Sequence, residues 1–225
     1  MASDGFDLIL VARRLDRLDA LSRDLENAHG IKVRSIKADL ARPNAAAALA
    51  QEVGETQIHT LVNNAGFGHI GPFVSENLTA MGDEVALNVG TLTQLTRIYL
   101  PRMIERGDGA TINVASTAAY QPIPNMAVYG ATKAYVLSFT EAIWGETRGT
   151  GVNVLAVSPG PTETEFFGVA EGKSIGKTMA TPAEVIETAL AAVARGTHPS
   201  VIVGRKNSIQ AGIARLVPRK LVLKV

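Results

Sequence analysis

The sequence predicts an α/β fold in which a parallel sheet is built from βαβ units. Short apolar runs alternate along the chain with longer segments of helical periodicity, and this alternation is typical of that fold class. The 225 residues suit one domain, and 46% hydrophobic against 19% charged residues provide an ordinary globular core. No linker or internal repeat interrupts the pattern, so a single domain is predicted.

Six apolar runs are predicted as strands, and they cover residues 6–11, 31–36, 58–63, 110–116, 152–158 and 200–204. The first helix has leucines on one face (Leu15, Leu18, Leu21 and Leu25), and Gly30 stands where a C-terminal cap belongs. An alanine-rich helix is expected to start near Pro43.

Two long helices are predicted at about 80–105 and 127–148. Residues 161–180 mix Gly, Thr, Glu and Lys without a period, so we expect a loop or lid there. The next helix should begin at Thr181-Pro182-Ala183-Glu184, which has the form of a capping box with proline in the first turn.

Composition narrows the function classes. The net charge of +1 gives no general attraction for nucleic acid. The absence of cysteine excludes a disulfide framework, a thiolate metal site and a cysteine nucleophile. The four histidines share no metal-ligand spacing, and no apolar run reaches the roughly 18 residues of a membrane span. No signal peptide is recognised, so a cytoplasmic location is expected.

The strongest local signal is Tyr129-Gly-Ala-Thr-Lys133 near the start of a predicted helix. Residues four apart share a helix face, so a phenol and an ammonium can enter one pocket, where the cation favours the ionised phenol. Such a pair suits general acid–base work. The alternative is an exposed pair on a helix face. Ser116, at the end of a predicted strand, and Asn88, in a long helix, favour the pocket, although Asn88 alone reads as a satisfied core amide.

Five motifs resemble, in order and spacing, those of the short-chain dehydrogenase/reductase family: Asn63-Asn64-Ala65-Gly66, Asn88-Val89-Gly90, Ser116, Tyr129-x-x-x-Lys133 and Ser158-Pro159-Gly160. The resemblance runs from about residue 5 to residue 204. It implies a Rossmann-type doubly wound sheet and an oxidoreductase that interconverts a ketone or aldehyde and an alcohol by hydride transfer with NADP(H).

The resemblance also implies roles for the catalytic residues. Tyr129 would be the acid for carbonyl reduction or the base for alcohol oxidation. Lys133 would lower the tyrosine pKa and hydrogen-bond the nicotinamide ribose, and Ser116 would hold the substrate oxygen. Asn88 would anchor a water that links Lys133 to solvent.

The choice of cofactor depends on the end of the first predicted strand. Ala12 offers no carboxylate for a ribose 2′-OH, whereas Arg13 offers a planar fork for a 2′-phosphate. Cations are disfavoured at a helix N-terminus, so Arg13 and Arg14 there favour an anionic partner and hence NADP(H). The alternative is that both arginines are merely solvated.

Other cofactor contacts are implied by the resemblance. Asp39 and Leu40 would lie at the adenine, although Asp39 also reads as a helix cap. The further contacts would come from Asn64, Ala65, Gly66, Pro159, Gly160, Thr162 and Thr164, together with Tyr129 and Lys133. The G-x-G-x-x-G match over 66–71 is interpreted as a decoy, because Gly71-Pro72 leads into a loop rather than a helix.

The family begins with a strand and a glycine-rich turn that would precede residue 6, so the domain is expected to be truncated at its N-terminus. The missing strand would be central in the sheet order 3-2-1-4-5-6-7. Its neighbours, 6–11 and 58–63, would either pair directly or flank a strand from residues before Met1, and we expect the second. Without the turn, which would bind pyrophosphate, a cofactor-free scaffold or pseudoenzyme is the alternative function.

The chain divides into the domain, 1–204, and a basic C-terminal helix or tail, 205–225. The tail holds six cations and no acid, which are Arg205, Lys206, Arg215, Arg219, Lys220 and Lys224. We expect its helix to pack Ile209, Ile213 and Leu216 on the body; a membrane-surface role is the alternative. The family usually associates through its two long helices, so a homodimer or homotetramer is expected.

Overall fold

The structure is a computed structural model that describes residues 1–166 and 179–223. Most of the loop predicted over 161–180, from 167 to 178, lies outside the described residues.

Six parallel strands form the sheet framework: β1 (Leu8–Ala12), β2 (Val33–Lys37), β3 (Thr60–Asn63), β4 (Gly109–Val114), β5 (Val152–Ser158) and β6 (Ser200–Ile202). β1 pairs with β2, and the other four pair in the order β3-β4-β5-β6. Each strand begins and ends within two residues of the run that predicted it, because short apolar runs bounded by polar and glycine residues leave little freedom in where a buried strand lies.

The helices are α1 (Leu15–His29), α2 (Ala45–Val53), α3 (Leu78–Val85), α4 (Leu92–Arg106), α5 (Ala127–Glu146), α6 (Pro182–Arg195), α7 (Arg205–Leu216) and α8 (Arg219–Val222). Gly30 ends α1 in the left-handed conformation at φ 67°, which suits a residue without Cβ. A capping box of Thr181 and Glu184 begins α6, as predicted. A π-helical turn, Ala86–Thr91, joins α3 to α4, so the long helix predicted over 80–105 is interrupted by a wider turn.

Helices cover both faces of the larger sheet. Successive residues of a strand point to opposite faces, and β5 shows both environments. Val154 packs in a cluster with residues of α2 and α4, and Ala156 with residues of α5. Leu155 and Val157 pack with Ala189 and Ala192 of α6 on the other face. The predicted doubly wound α/β fold is therefore confirmed.

The strands β1 and β3 do not pair with each other. The sheet consists of a two-stranded part and a four-stranded part, and a cavity of about 2020 Å³ is lined by residues of both β1 and β3. Direct pairing of these two strands, one of the two arrangements expected from the sequence, is not what the structure shows.

The C-terminal segment forms the expected basic helix, α7, but its packing was predicted wrongly. Ile209, Ile213 and Leu216 are 63%, 55% and 86% exposed, and Ala211 is buried instead. Helical periodicity identifies an apolar stripe without saying whether a partner surface reaches it. No described helix combines the length and apolar character that crossing a bilayer requires.

Candidate active site

Ser116, Tyr129 and Lys133 meet at the carboxyl ends of the parallel strands. Ser116 follows β4, and its Oγ accepts a hydrogen bond from the Ala118 amide at 3.1 Å, which starts the 3₁₀ turn Thr117–Tyr120. Tyr129 and Lys133 lie in the first two turns of α5. Since ligands of open α/β sheets bind outside the carboxyl ends of the strands, this is the expected place for a site.

The Lys133 ammonium lies beneath the Tyr129 ring. Nζ is 5.8 Å from the ring centre, and it donates a hydrogen bond to the Val114 carbonyl at 2.7 Å. The Ser116 side chain lies close enough to the Tyr129 phenol to lower its pKa by hydrogen bonding. The four-residue spacing predicted that Tyr129 and Lys133 share a pocket, and their side chains lie next to each other.

The pKa of Tyr129 differs from the expectation. Burial raises the pKa of its phenol above the usual value, and the negative charge of Glu84 raises it further, while the hydrogen bond with Ser116 lowers it. Burial also lowers the pKa of Lys133 to about 8, against a smaller opposing effect of Glu84. Burial, rather than the ammonium that the sequence suggested, therefore decides the direction of the tyrosine shift.

Asn88 lies in the π-helical turn and is almost completely buried. Its Nδ2 donates to the Phe67 carbonyl at 2.8 Å and to Thr132 Oγ1 at 3.1 Å, and its Oδ1 accepts from the Phe67 amide at 3.2 Å. The side chain thus ties the segment after β3 to α5. This is the satisfied core amide that the isolated residue suggested, placed beside the other catalytic candidates.

The residues after β3 pack directly on the catalytic candidates. A Cβ added at Gly66 would lie 3.0 Å from Asn88 Oδ1 and 3.4 Å from Lys133 Nζ. A Cβ added at Gly68 would lie 2.4 Å from Cδ2 of the Tyr129 ring. Gly71-Pro72 continues into a 3₁₀ turn, Phe73–Ser75, rather than an α-helix, in agreement with reading the glycine pattern as a decoy. The glycines here permit close packing.

Arg13 and Arg14, directly after β1, have different surroundings. Arg14 forms an ion pair with Glu165 at 2.7 Å, and Arg17 contacts the same carboxylate at 2.6 Å. Hydrogen bonds from Arg17 and Arg14 lower the pKa of Glu165 to about 2. Arg13 lines the cavity and pairs with no acid in the described ranges. Of the two arginines, Arg13 is therefore the one whose charge is left for a ligand.

The predicted adenine-side residues show both of the roles considered. Asp39 Oδ1 accepts a hydrogen bond from the Ala41 amide at 3.2 Å, and its Oδ2 pairs with Arg42 at 3.1 Å. These are the local contacts of a turn aspartate. Leu40 is buried, and its carbonyl accepts from Thr91 Oγ1 at 2.7 Å. Asp39 and Leu40 both line the cavity.

The segment after β5 forms the wall of the cavity that lies next to Tyr129. The Pro159 carbonyl accepts from the Thr117 amide at 2.9 Å, and Thr162 Oγ1 donates to the Gly160 carbonyl at 3.0 Å. Thr164 Oγ1 accepts from the Phe166 amide at 3.3 Å. The Phe166 ring lies 5.1 Å from the Tyr129 ring, so this segment closes over the tyrosine.

The cavity connects the two groups of predicted cofactor contacts. It extends from Arg13, Asp39 and Leu40 through the Asn64, Ala65 and Gly66 backbone to Lys133, Tyr129 and the 159–164 segment. Gly66 lines this cavity and lies against Asn88 and Lys133, so a larger side chain there would crowd both of them. Within the described residues, no cluster of three or more His, Asp or Glu side chains is arranged to hold a metal ion.

Sequence reasoning missed a contact between a half-buried histidine and a buried carboxylate next to this site. His69 places Nδ1 2.9 Å from Oε2 of Glu84, whose side chain is 1% exposed. Glu84 precedes Asn88 by one helical turn, and that spacing was a usable signal. The histidine partner was not predictable, because it depends on how the 66–71 segment folds back onto α3.

Comparisons with known proteins agree with this geometry. The family model described as short chain dehydrogenase matches residues 1–173. The chain is 37% identical over 175 residues to a sulfoacetaldehyde reductase of Chromohalobacter salexigens, covering 76% of this chain and 68% of that protein. It is 28% identical over 163 residues to very-long-chain 3-oxoacyl-CoA reductase-B of Danio rerio, with 71% of this chain matching about half (52%) of that protein.

A solved structure is similar over almost the whole fold. The short-chain dehydrogenase from Sphingobium yanoikuyae in complex with NADPH superimposes with a TM-score of 0.85 at 32% identity, covering 97% of this chain and 89% of that one. The relatives are named as reductases and dehydrogenases, so the comparisons do not favour the cofactor-free scaffold considered as the alternative.

Proposed function

Because the chain belongs to the short-chain dehydrogenase family, we propose that it interconverts a ketone or aldehyde and an alcohol with NADP(H). The observation that carries the proposal is the meeting of Ser116, Tyr129 and Lys133 in one cavity at the carboxyl ends of the strands. A nicotinamide cofactor supplies the hydride chemistry when bound. Arg13, Asp39, Leu40 and Asn64–Gly66 would hold its adenosine side and its ribose, with Lys133, Tyr129 and the 159–164 segment at the nicotinamide.

Tyr129 is the proton donor in the reductive direction. Burial keeps its phenol protonated at neutral pH, so it can donate its proton to the substrate oxygen as that oxygen gains charge. Ser116, which lies beside the phenol, donates a hydrogen bond from its hydroxyl to the same oxygen and so fixes the direction of transfer. The Lys133 ammonium stabilises the phenolate that remains, since at pH 7 it is still largely charged.

Replacing the phenol tests the assignment. Tyr129→Phe should lower kcat/KM for NADPH-dependent reduction of a probe ketone by about 10²–10⁴-fold, because the general acid is lost while the ring packing is kept. NADPH affinity, measured by fluorescence titration, should change little. Tyr135→Phe is the matched control on the same helix, where the hydroxyl contacts Thr93 at the surface.

Normal turnover in the Tyr129→Phe variant would contradict the catalytic assignment. Absence of any NADPH-induced rise in the melting temperature of the wild-type chain would favour the cofactor-free alternative, since a ligand that binds only the folded state must stabilise it.

The preference for NADP(H) over NAD(H) is assigned to Arg13. Its guanidinium lines the cavity after β1, where Ala12 offers no carboxylate, and it pairs with no acid in the described ranges. A charge-assisted hydrogen bond to a 2′-phosphate contributes about 1.5–3 kcal/mol. Arg13→Ser should therefore lower the ratio of NADPH to NADH affinity by about 10–100-fold, whereas Arg23→Ser, an exposed arginine farther along α1, should leave it unchanged. An unchanged ratio in Arg13→Ser would remove the basis for the preference.

A further inference from the structure

Glu84 is the one fully buried acidic side chain among the described residues, and the proposed reaction gives it no part. Its Oε2 is held by His69 Nδ1 at 2.9 Å, and its Oε1 is buried without a hydrogen-bond partner in the described ranges. A carboxylate removed from water is unfavourable unless its charge is used or neutralised nearby. The groups around it therefore decide what it does.

His69 connects Glu84 to the segment that covers Tyr129. The segment 66–71 is fastened at three points: Asn88 holds the backbone of Phe67, Glu84 holds the His69 ring, and the Gly71 amide donates to the Asn125 carbonyl at 2.9 Å. Gly68, between the first two points, packs against the Tyr129 ring. The packing of residues 66–71 against the Tyr129 ring thus depends on the His69–Glu84 hydrogen bond.

Four titratable groups surround the carboxylate. His69 lies in the 66–71 segment, Glu76 follows the Phe73–Ser75 turn, and Tyr129 and Lys133 belong to α5. The negative charge of Glu84 raises the pKa of both Tyr129 and Lys133. Burial raises the pKa of Glu84 itself, and the hydrogen bond with His69 opposes that shift, so the carboxylate depends on His69 for its stabilisation.

We propose that Glu84 and His69 are a positioning pair for the oxidoreductase reaction. His69 anchors residues 66–71 over the Tyr129 ring, and the buried Glu84 side chain holds His69 in place. The purpose of the pair rests on the proposed function. The anchoring can be measured on the chain without cofactor or substrate.

The hydrogen bond is tested by comparing two replacements of Glu84. Glu84→Gln keeps an oxygen that can accept the His69 hydrogen bond, so amides in residues 66–71 should exchange at about the wild-type rate. Glu84→Leu removes the acceptor, so the same amides should exchange faster. Glu187→Leu, which removes an exposed carboxylate on α6, should leave their exchange unchanged.

The anchoring is tested by amide hydrogen exchange. His69→Ala removes the hydrogen bond to Glu84, so amides in residues 66–71 should exchange up to about tenfold faster, while those of β5 keep the wild-type rate. His29→Ala, an exposed histidine at the end of α1, is the control. Unchanged exchange of residues 66–71 in His69→Ala overturns the proposal.

If Glu84→Gln fails to fold by circular dichroism, the His69→Ala exchange measurement decides alone. Both readouts are independent of turnover. A chain that fails to reduce any ketone but shows both effects would contradict the proposed function and leave the positioning pair standing.

Discussion

Lys133 shows how a single buried charge links the site to stability. Burial lowers its pKa to about 8 in the folded chain, against a usual value of 10.5. Between these two values the unfolded chain binds more protons than the folded chain. The contribution of Lys133 to the free energy of unfolding is therefore smallest below pH 8 and rises as the pH increases from 8 to 10.5, by at most about 3 kcal/mol.

Comparison with Lys133→Met isolates this effect. The difference in the free energy of unfolding between wild type and Lys133→Met should shift in favour of wild type from pH 8 towards pH 10, because the variant lacks the titrating amine. Urea denaturation at four pH values measures it. A difference that stays constant with pH would show that Lys133 titrates normally in the folded chain. Tyrosine ionisation above pH 10 affects both proteins and cancels in the comparison.

The identities of the site residues were predictable, but their electrostatics were not. The spacing of Tyr129 and Lys133 sufficed to predict a shared pocket, since four residues make about one helical turn. The direction of the tyrosine pKa shift required the extent of burial and the charge of Glu84, which comes from another helix. A local pattern cannot report either quantity.

At the scale of elements, the segment 66–71 packs closely on α5 because Gly68 has no side chain where it meets the Tyr129 ring. Gly68→Ala would place Cβ 2.4 Å from the Tyr129 ring, so the ring or the segment must move. We expect a loss of about 1–3 kcal/mol in stability and a lower kcat/KM for ketone reduction. Thermal denaturation and steady-state kinetics measure the two effects.

Gly71→Ala is the matched control within the same segment, because a Cβ there meets no atom within 4 Å. Its stability should remain within about 0.5 kcal/mol of wild type. Equal behaviour of the two alanine variants would mean that the segment yields freely and does not constrain Tyr129.

The boundary of an element was predictable from the sequence where that end carries a capping signal. Thr181 and Glu184 predicted the start of α6, and Gly30 the end of α1, because capping depends on residues adjacent in the chain. The packing of α7 was predicted wrongly for the opposite reason. Its apolar stripe is local, whereas the presence of a covering surface is a property of the whole molecule.

At the scale of the whole molecule, the division of the sheet should be visible in its dynamics. β1 and β2 pair only with each other, and every residue of β1 is partly exposed, whereas most residues of β4 and β5 are buried. Strands with fewer buried contacts open more readily. Amides of β1 and β2 should therefore exchange at least about tenfold faster than those of β4 and β5.

Hydrogen exchange measured by mass spectrometry resolves these segments. Equal protection in the two parts of the sheet would show that the chain opens as a single cooperative unit. The parallel α/β architecture was predictable because apolar runs alternate with segments of helical periodicity. The separation of β1 from β3 could not be predicted from these local patterns. Association of copies through α4 and α5 remains a prediction.

The π-helical turn between α3 and α4 sets the relative phase of two helices. Along an ordinary α-helix, the side-chain direction would rotate by about 1900° from Glu84 to Met103. The two side chains would then point about 100° apart around the helix axis. Both residues are nevertheless completely buried. A π turn accommodates one additional residue, which is about 100° of rotation. The π turn therefore corrects the rotation between α3 and α4, so that the buried face of α3 continues into the buried face of α4.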